Sequence, residues 1–275
     1  MRTRVISGIG IAVVLVTCVL LGATTFGLLL GICSLIAVNE LSKAVGIHDS
    51  DKKCNILEAI MYISTIMIYL VTYLSDRAST DKNIMIVMIA SILAILAVFV
   101  FAYPKYHTTK IACAIFIVFY APLMLSFGYR VEAYSSHPIV MTALLFAVTC
   151  VSDVGAYFVG VNLGKHKLAP VLSPKKSIEG SVGAIIITTI VCALIGFILG
   201  NNGIIGAGNT LIFAVIGALG SVISQIGDLA ASAIKRNYDI KDYGKLIPGH
   251  GGIMDRVDSW IVVFPIIYFL IDWIK

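Results

Sequence analysis

Residues 84–103 read IMIVMIASILAILAVFVFAY, twenty positions without one charged side chain. As a helix rising about 1.5 Å per residue, this stretch is about 30 Å long, the thickness of the hydrocarbon core of a bilayer. It carries no polar stripe of the kind a surface helix turns to water, so it reads as a membrane span. The rest of the chain repeats the pattern: 59% of the 275 residues are hydrophobic, 13% are charged, and the mean hydropathy is +0.98. Those values exclude an ordinary soluble domain.

Working outward from that block, nine apolar stretches stand out, at about 5–21, 25–38, 56–73, 84–103, 111–127, 139–161, 181–199, 211–233 and 257–274. The last is short and interrupted by Pro265, although Trp260 and Trp273 near its ends fit an interfacial aromatic belt. The expected fold is therefore all-α, a polytopic integral membrane protein with about nine transmembrane helices. MRTR at the N-terminus precedes an apolar run, as in a leader peptide, but a second apolar block follows from Thr25, and the pair reads as a helical hairpin left in place. Five of the six cysteines lie inside apolar blocks and Cys54 at the start of one, with no CxxC or Cys/His spacing, so they read as reduced, small apolar residues.

Charge supplies a topology. With nine spans, sixteen of the twenty Lys and Arg residues fall on one side: Arg2, Arg4, Lys43, Lys52, Lys53, Lys105, Lys110, Lys165, Lys167, Lys175, Lys176, Lys235, Arg236, Lys241, Lys245 and Arg256. Arg77, Lys82, Arg130 and Lys275 fall on the other. That bias makes the crowded side cytoplasmic, in a cell inner or plasma membrane. The net charge of +5 is thereby assigned to loops that meet lipid phosphates, and nucleic acid is not expected as a partner.

The two halves of the chain differ. Residues 1–137 read as scaffold spans, with Glu58 snorkelling at the head of the third. Residues 138–275 read as a catalytic region with two long loops on the cytoplasmic face. The second loop lies within residues 224–260, SQIGDLAASAIKRNYDIKDYGKLIPGHGGIMDRVDSW, where ten of the 35 charged residues gather between Asp228 and Asp258. Charge near a bilayer is costly and is tolerated where it meets a substrate, an ion or another charge. Ser224, Asp228 and Ser232 recur every four residues with Lys235 three further on, one helical face near the cytoplasmic end of its span. A polar face packed against another helix, with Asp228 paired to Lys235 or a neighbouring Ser, is the plain alternative. Pro248, Gly249, Gly251 and Gly252 make a side-chain-poor turn around His250 whose backbone N–H groups can approach an anion. Asp228 and Asp255 are the carboxylates an oxygen-coordinated divalent metal needs, and Lys235, Arg236 and Lys241 the cations a polyphosphate needs. In the first loop, GKHKLAPVLSPKKSIEG, the patch of Lys175, Lys176 and Ser177 suits a lipid or a nucleotide phosphate. A plain positive-inside loop explains its lysines equally well, but explains Glu179 and the intramembrane Asp153 less readily.

These residues resemble the signature of the phosphatidate cytidylyltransferases, the CDP-diacylglycerol synthases. Ser232, Lys235, Arg236, Lys241, Asp242, Gly244, Pro248, His250, Gly251, Gly252, Asp255, Arg256 and Asp258 stand in register with it, a highly specific pattern. Gly227 with Asp228, the SPKKSIEG run and Asp153 with Ala156 and Tyr157 are also similar to the family. Ser177 stands where threonine is usual and Ala184 where a second glycine is common. The likeness covers about residues 153–260. It implies that CTP and phosphatidic acid become CDP-diacylglycerol and pyrophosphate in phospholipid biosynthesis, with magnesium as cofactor and room for a second, monovalent ion. It further implies that Asp228 and Asp255 hold the magnesium and that Lys235, Arg236 and Lys241 hold the triphosphate. Lys175, Lys176 and Ser177 then meet the lipid phosphate or complete the nucleotide site. Asp242, Arg256 and Asp258 orient the loop, His250 donates to a phosphate oxygen, and Glu179, Ser232, Asp153 and Tyr157 belong to the substrate-binding set. A homodimer is the family's expected state.

Two other readings fit parts of the sequence. A related CTP-dependent transferase acting on another lipid phosphate or a polyprenol is the nearer one, and only substrate assays separate it cleanly. An ion-coupled transporter explains Asp153 and Asp228 but predicts matched polar breaks in two repeated halves, and the first half has none. Transfer of an alcohol onto CDP-diacylglycerol calls for a DGxxAR motif, which the sequence lacks.

Overall fold

The computed structural model describes residues 2–48, 54–271 and 273–274. Lys52, Lys53 and Lys275, three of the cations that set the topology, lie outside the described residues, as do the side chains of Arg2 and Arg4. The described chain holds nine α-helices: α1 (Arg2–Leu20), α2 (Ala23–Ala44), α3 (Ile56–Leu74), α4 (Arg77–Phe101), α5 (Thr108–Tyr134), α6 (Pro138–Leu163), α7 (Ile178–Asn201), α8 (Thr210–Asn237) and α9 (Met254–Ile271). Seven of them, α2 to α8, are long and apolar enough to cross a membrane. The expectation of about nine spans is high by that measure. The apolar part of α1 is the shorter Ile6–Leu20, and α9 opens with Asp255, Arg256 and Asp258.

The span that decided the class, α4, is also the most apolar of the seven, and most of it is uncovered. Leu93, Val100 and Phe101 on it are among the exposed side chains. A helix that is apolar all round and largely uncovered has lipid as its solvent.

By its contacts the chain divides into two compact units. The first contains Met1–Tyr134 and Tyr238–Val257, so it combines α1 to α5 with the glycine-rich loop. In it Asn55 caps α3 through a reciprocal capping box: Asn55 Oδ1 accepts from the Glu58 N–H at 3.0 Å, and Glu58 Oε2 accepts from the Asn55 N–H at 3.0 Å. Glu58 is 1% exposed, and its Oε1 lies 2.7 Å from His48 Nδ1, so it is a buried cap and does not snorkel. Pro122 sits inside α5, where its missing N–H coincides with a π-helical turn over Phe119–Leu123.

The second unit contains Ser135–Asn237 and Asp258–Lys275. Its helices α6, α7 and α8 pack through small residues, which let backbones approach closely. A Cβ at Gly183 would lie 2.6 Å from Val159, and one at Gly217 would lie 2.7 Å from the Thr188 carbonyl oxygen. Trp260 packs within the unit, edge-on to Phe146 at 4.9 Å and stacked on Phe264 at 5.9 Å. The loop between α6 and α7 contains an antiparallel hairpin of β1 (Lys167–Ala169) and β2 (Ser173–Ser177), the one sheet among the described residues.

Candidate active site

In the second unit the basic loop and the acidic helix face meet. Glu179, in the first turn of α7, closes the base of the hairpin. Its Oε2 accepts from the Lys165 N–H at 3.0 Å, both of its oxygens lie 3.2 Å from the His166 N–H, and its Oε1 lies 2.6 Å from His166 Nδ1. Ser177 is buried and caps α7, its Oγ accepting from the Gly180 N–H at 3.2 Å. Gly164 and Gly180 leave room for that hydroxyl, since a Cβ on either would approach Ser177 Oγ to 2.7 and 3.0 Å. Between these anchors the strand turns Lys175 outward and Lys176 inward, where the Lys176 ammonium forms an ion pair with Asp228 Oδ2. Both partners are half-buried.

The sequence offered Lys235 as the plain partner of Asp228; the structure brings Lys176 of the hairpin to that carboxylate. Around Asp228 the helices are close: a Cβ on Gly227 would lie 2.4 Å from Val262 and 2.9 Å from the Asp258 carbonyl oxygen. Asp228, Lys235 and Asp153 all lie within electrostatic reach of Asp258, which is 9% exposed. Of the helical face read from the sequence, Ser224 is fully buried with its hydroxyl unpartnered among the described residues, while Ser232 and Lys235 are half-buried and Arg236 is exposed. Tyr157 is exposed, its ring edge-on to Phe158 at 5.7 Å.

In the first unit the glycine loop is held from within and from the N-terminal helices. Ile247 and Gly251 form an isolated antiparallel bridge, with the His250 N–H donating to the Ile247 carbonyl at 2.9 Å. Gly249 and Gly251 adopt φ of 78° and 85°, the left-handed region that favours glycine. Asp255 Oδ2 accepts from the Tyr243 N–H at 2.9 Å and the Gly252 N–H at 3.0 Å. Lys241, Asp242 and Arg256 are exposed. Two contacts were not expected from the sequence. Ser7 Oγ of α1 donates to the Pro248 carbonyl at 3.1 Å and lies 2.9 Å from His250 Nδ1. Glu40 of α2 accepts from the Ile253 and Met254 N–H groups. Glu40 falls just past the apolar block that ends at residue 38, and the available signal was its position: an acid at the end of a span is costly without a partner.

The donor set suits a magnesium ion, which is commonly held by one or two carboxylates and completed by water and substrate phosphates. Asp228 and Asp153 each lie within electrostatic reach of Asp258, and an ionised carboxylate retains acceptor sites after one or two hydrogen bonds. Among the described residues no three His, Cys, Asp or Glu side chains form a metal-holding group by themselves, so substrate oxygens would complete the shell.

A family model described as the cytidylyltransferase family matches residues 2–274. The chain belongs to that family. Within it, the phosphatidate cytidylyltransferase of Bacillus subtilis strain 168 is 31% identical over 274 residues, covering 98% of this chain and 97% of its own. That of Staphylococcus haemolyticus is 30% identical over 271 residues, covering 98% and 99%. That of Mycobacterium bovis is 36% identical over 171 residues, covering 58% and 53%. The likeness thus extends through the N-terminal helices, well beyond the residues that first carried it.

Proposed function

We propose that the chain transfers a cytidylyl group from CTP to phosphatidic acid, leaving CDP-diacylglycerol in the bilayer and releasing pyrophosphate, with its site facing the cytoplasm. The observation that carries this reading is the ion pair between Lys176 and Asp228, which joins the basic hairpin to the acidic face of α8 inside a membrane-embedded unit. A soluble polyanion and a lipid phosphate require such a place, with cations to receive them and an acid to hold a metal. Family membership and the names of the relatives agree with it.

No protein nucleophile is needed. A phosphate monoester has its second pKa near 6, so the lipid phosphate is already anionic at neutral pH. Its oxygen attacks the α-phosphorus of CTP, a new P–O bond forms, and the bond to the β-phosphate breaks as pyrophosphate departs. The residues must hold two polyanions in line and neutralise charge on the leaving group. Lys235, Arg236 and Lys241 take the triphosphate and the departing pyrophosphate. Lys175, Lys176 and the Ser177 hydroxyl, whose proton remains a donor after it accepts the cap bond, take the lipid phosphate or the nucleotide. Asp228 and Asp255 are the magnesium carboxylates of this reading. When bound, magnesium neutralises nucleotide phosphates and polarises the one under attack. Lys176 then has two roles, since binding of a phosphate or a cation at Asp228 competes with the ion pair.

Purified protein incubated with labelled CTP, phosphatidic acid and magnesium is expected to form labelled CDP-diacylglycerol, and folded protein that forms none overturns the proposal. Sidedness is read from a Lys241→Cys variant in a cysteine-free background, which membrane-impermeant maleimide should label only from the cytoplasmic side. A homodimer is part of the proposal, tested by the mass of the detergent-solubilised particle.

A further inference from the structure

We propose that Glu40 is a positioning residue for the proposed transfer reaction: from α2 it fixes the glycine loop and so sets where Asp255 is presented. Glu40 is 7% exposed and uses both carboxylate oxygens, Oε1 accepting from the Ile253 N–H at 3.1 Å and Oε2 from the Met254 N–H at 2.8 Å. These N–H groups lie at the start of α9, where helix donors have no intrahelical acceptor and the helix dipole favours an anion. Asp255 holds the same segment from the other side through the Tyr243 and Gly252 N–H groups. Four backbone donors of the loop are therefore fixed by two carboxylates, one from the loop's own helix and one from α2.

The glycines give an independent sign that the loop is built around Glu40. A Cβ at Gly244 or at Gly252 would lie 2.3 Å from Glu40 Oε1. Both belong to the glycine-rich motif, and both are accounted for by closure of backbone onto this carboxylate. Asp255 lies near enough to Glu40 to repel it. Two like charges so placed need the N–H groups between them, so removing either carboxylate loosens the hold on the other's donors. Glu40 does not reach substrate in this scheme; it acts through the loop.

The test uses the full chain in detergent, with Glu40→Gln and Gly252→Ala compared to the unaltered protein. Glutamine keeps the shape of the side chain but turns an NH2 group toward one of the two N–H donors. Trypsin cleavage after Lys241 and Lys245, both exposed, should accelerate about tenfold, matching the loss of a hydrogen bond to a charged group. Cleavage after the exposed Lys105, in the loop between α4 and α5, should be unchanged. In the transfer assay kcat should fall about tenfold or more, with KM for phosphatidic acid within about twofold. Gly252→Ala should reproduce both effects. Unchanged cleavage in both variants overturns the proposal. Cleavage at Lys105 rising in parallel also overturns it, because Glu40 would then hold the unit as a whole. Faster loop cleavage with unaltered kcat overturns the catalytic part. The inference rests on the function proposed above, yet the proteolysis needs no substrate: an unaltered protein that makes no product refutes that function and leaves the loop measurement to decide the role of Glu40.

Discussion

Replacing Gly227 by alanine puts a methyl group where α8 packs against α9. Its Cβ would lie 2.4 Å from Val262 Cγ2 and 2.9 Å from the Asp258 carbonyl oxygen. A comfortable carbon contact is about 3.5–4.0 Å. The valine has little freedom to swing aside, since a β-branched side chain on a helix has one strongly preferred rotamer, and the carbonyl belongs to the helix backbone. The helices must therefore part by about half an ångström or more, and overpacking of this kind costs about 1–3 kcal/mol. The melting temperature in detergent should fall by several degrees. Rate should suffer more than stability, because Asp228 and Asp258 flank the contact and an ångström of misplacement around reacting groups costs about a hundredfold. Turnover should drop about tenfold or more. Gly10→Ala is the internal control: nothing stands within 4 Å of its Cβ, and alanine is the better helix former by about 1 kcal/mol. A Gly227→Ala protein with unaltered melting temperature and turnover would refute the claim that this contact sets the placement of Asp228.

Lys176→Met should abolish most transfer, while Lys175→Met, one residue away but exposed, should chiefly raise KM; steady-state kinetics with both substrates separates them. Ser177→Ala should cost about 1 kcal/mol of stability through the lost cap, whereas Ser224→Ala removes a buried, unpartnered hydroxyl and should raise the melting temperature slightly; paired thermal melts check the contrast. Glu179→Ala should open the hairpin and speed tryptic cleavage after Lys165 and Lys167, read by fragment masses, because three backbone and ring contacts from residues 165 and 166 converge on that carboxylate.

The spans were legible because a bilayer imposes about twenty unbroken apolar residues on any helix that crosses it, and the sequence obeys that limit openly. Asp228 was legible for the related reason that an acid there is expensive. What hydropathy could not supply is how far a helix continues past its apolar block. The second block fades at residue 38, but α2 runs to Ala44, and Glu40 and Lys43 lie on that last stretch. Glu58 was misread for the opposite reason: at the head of a span it resembled an acid reaching for water, while the Asn55 side chain three residues earlier made it a cap. The hairpin between α6 and α7 is too short for alternation to register, with strands of three and five residues, and Lys176, which pairs with Asp228, sits on it. Spacing along one helix can nominate Lys235 for that role; it carries no information about Lys176.

The glycine-rich motif reads as one object in sequence and is not one in structure. Its helical part, to Asn237, belongs with α6 to α8; residues Tyr238–Val257 belong with α1 to α5; and Asp258 returns to the first set. That segment buries Tyr243, Met254 and Val257, but four of its residues between 244 and 252 are glycine, and that stretch is ordered by polar contacts. Within its unit those contacts come from Asp255 inside the loop and from Ser7 and Glu40 outside it. The N-terminal helices therefore have a reason to be matched by the family model although they carry none of the motif's residues. The chemistry requires charged groups in a loop, polar contacts from inside and outside that loop fix its shape, and Glu40 supplies two of them from a helix end where an unpartnered acid would be costly.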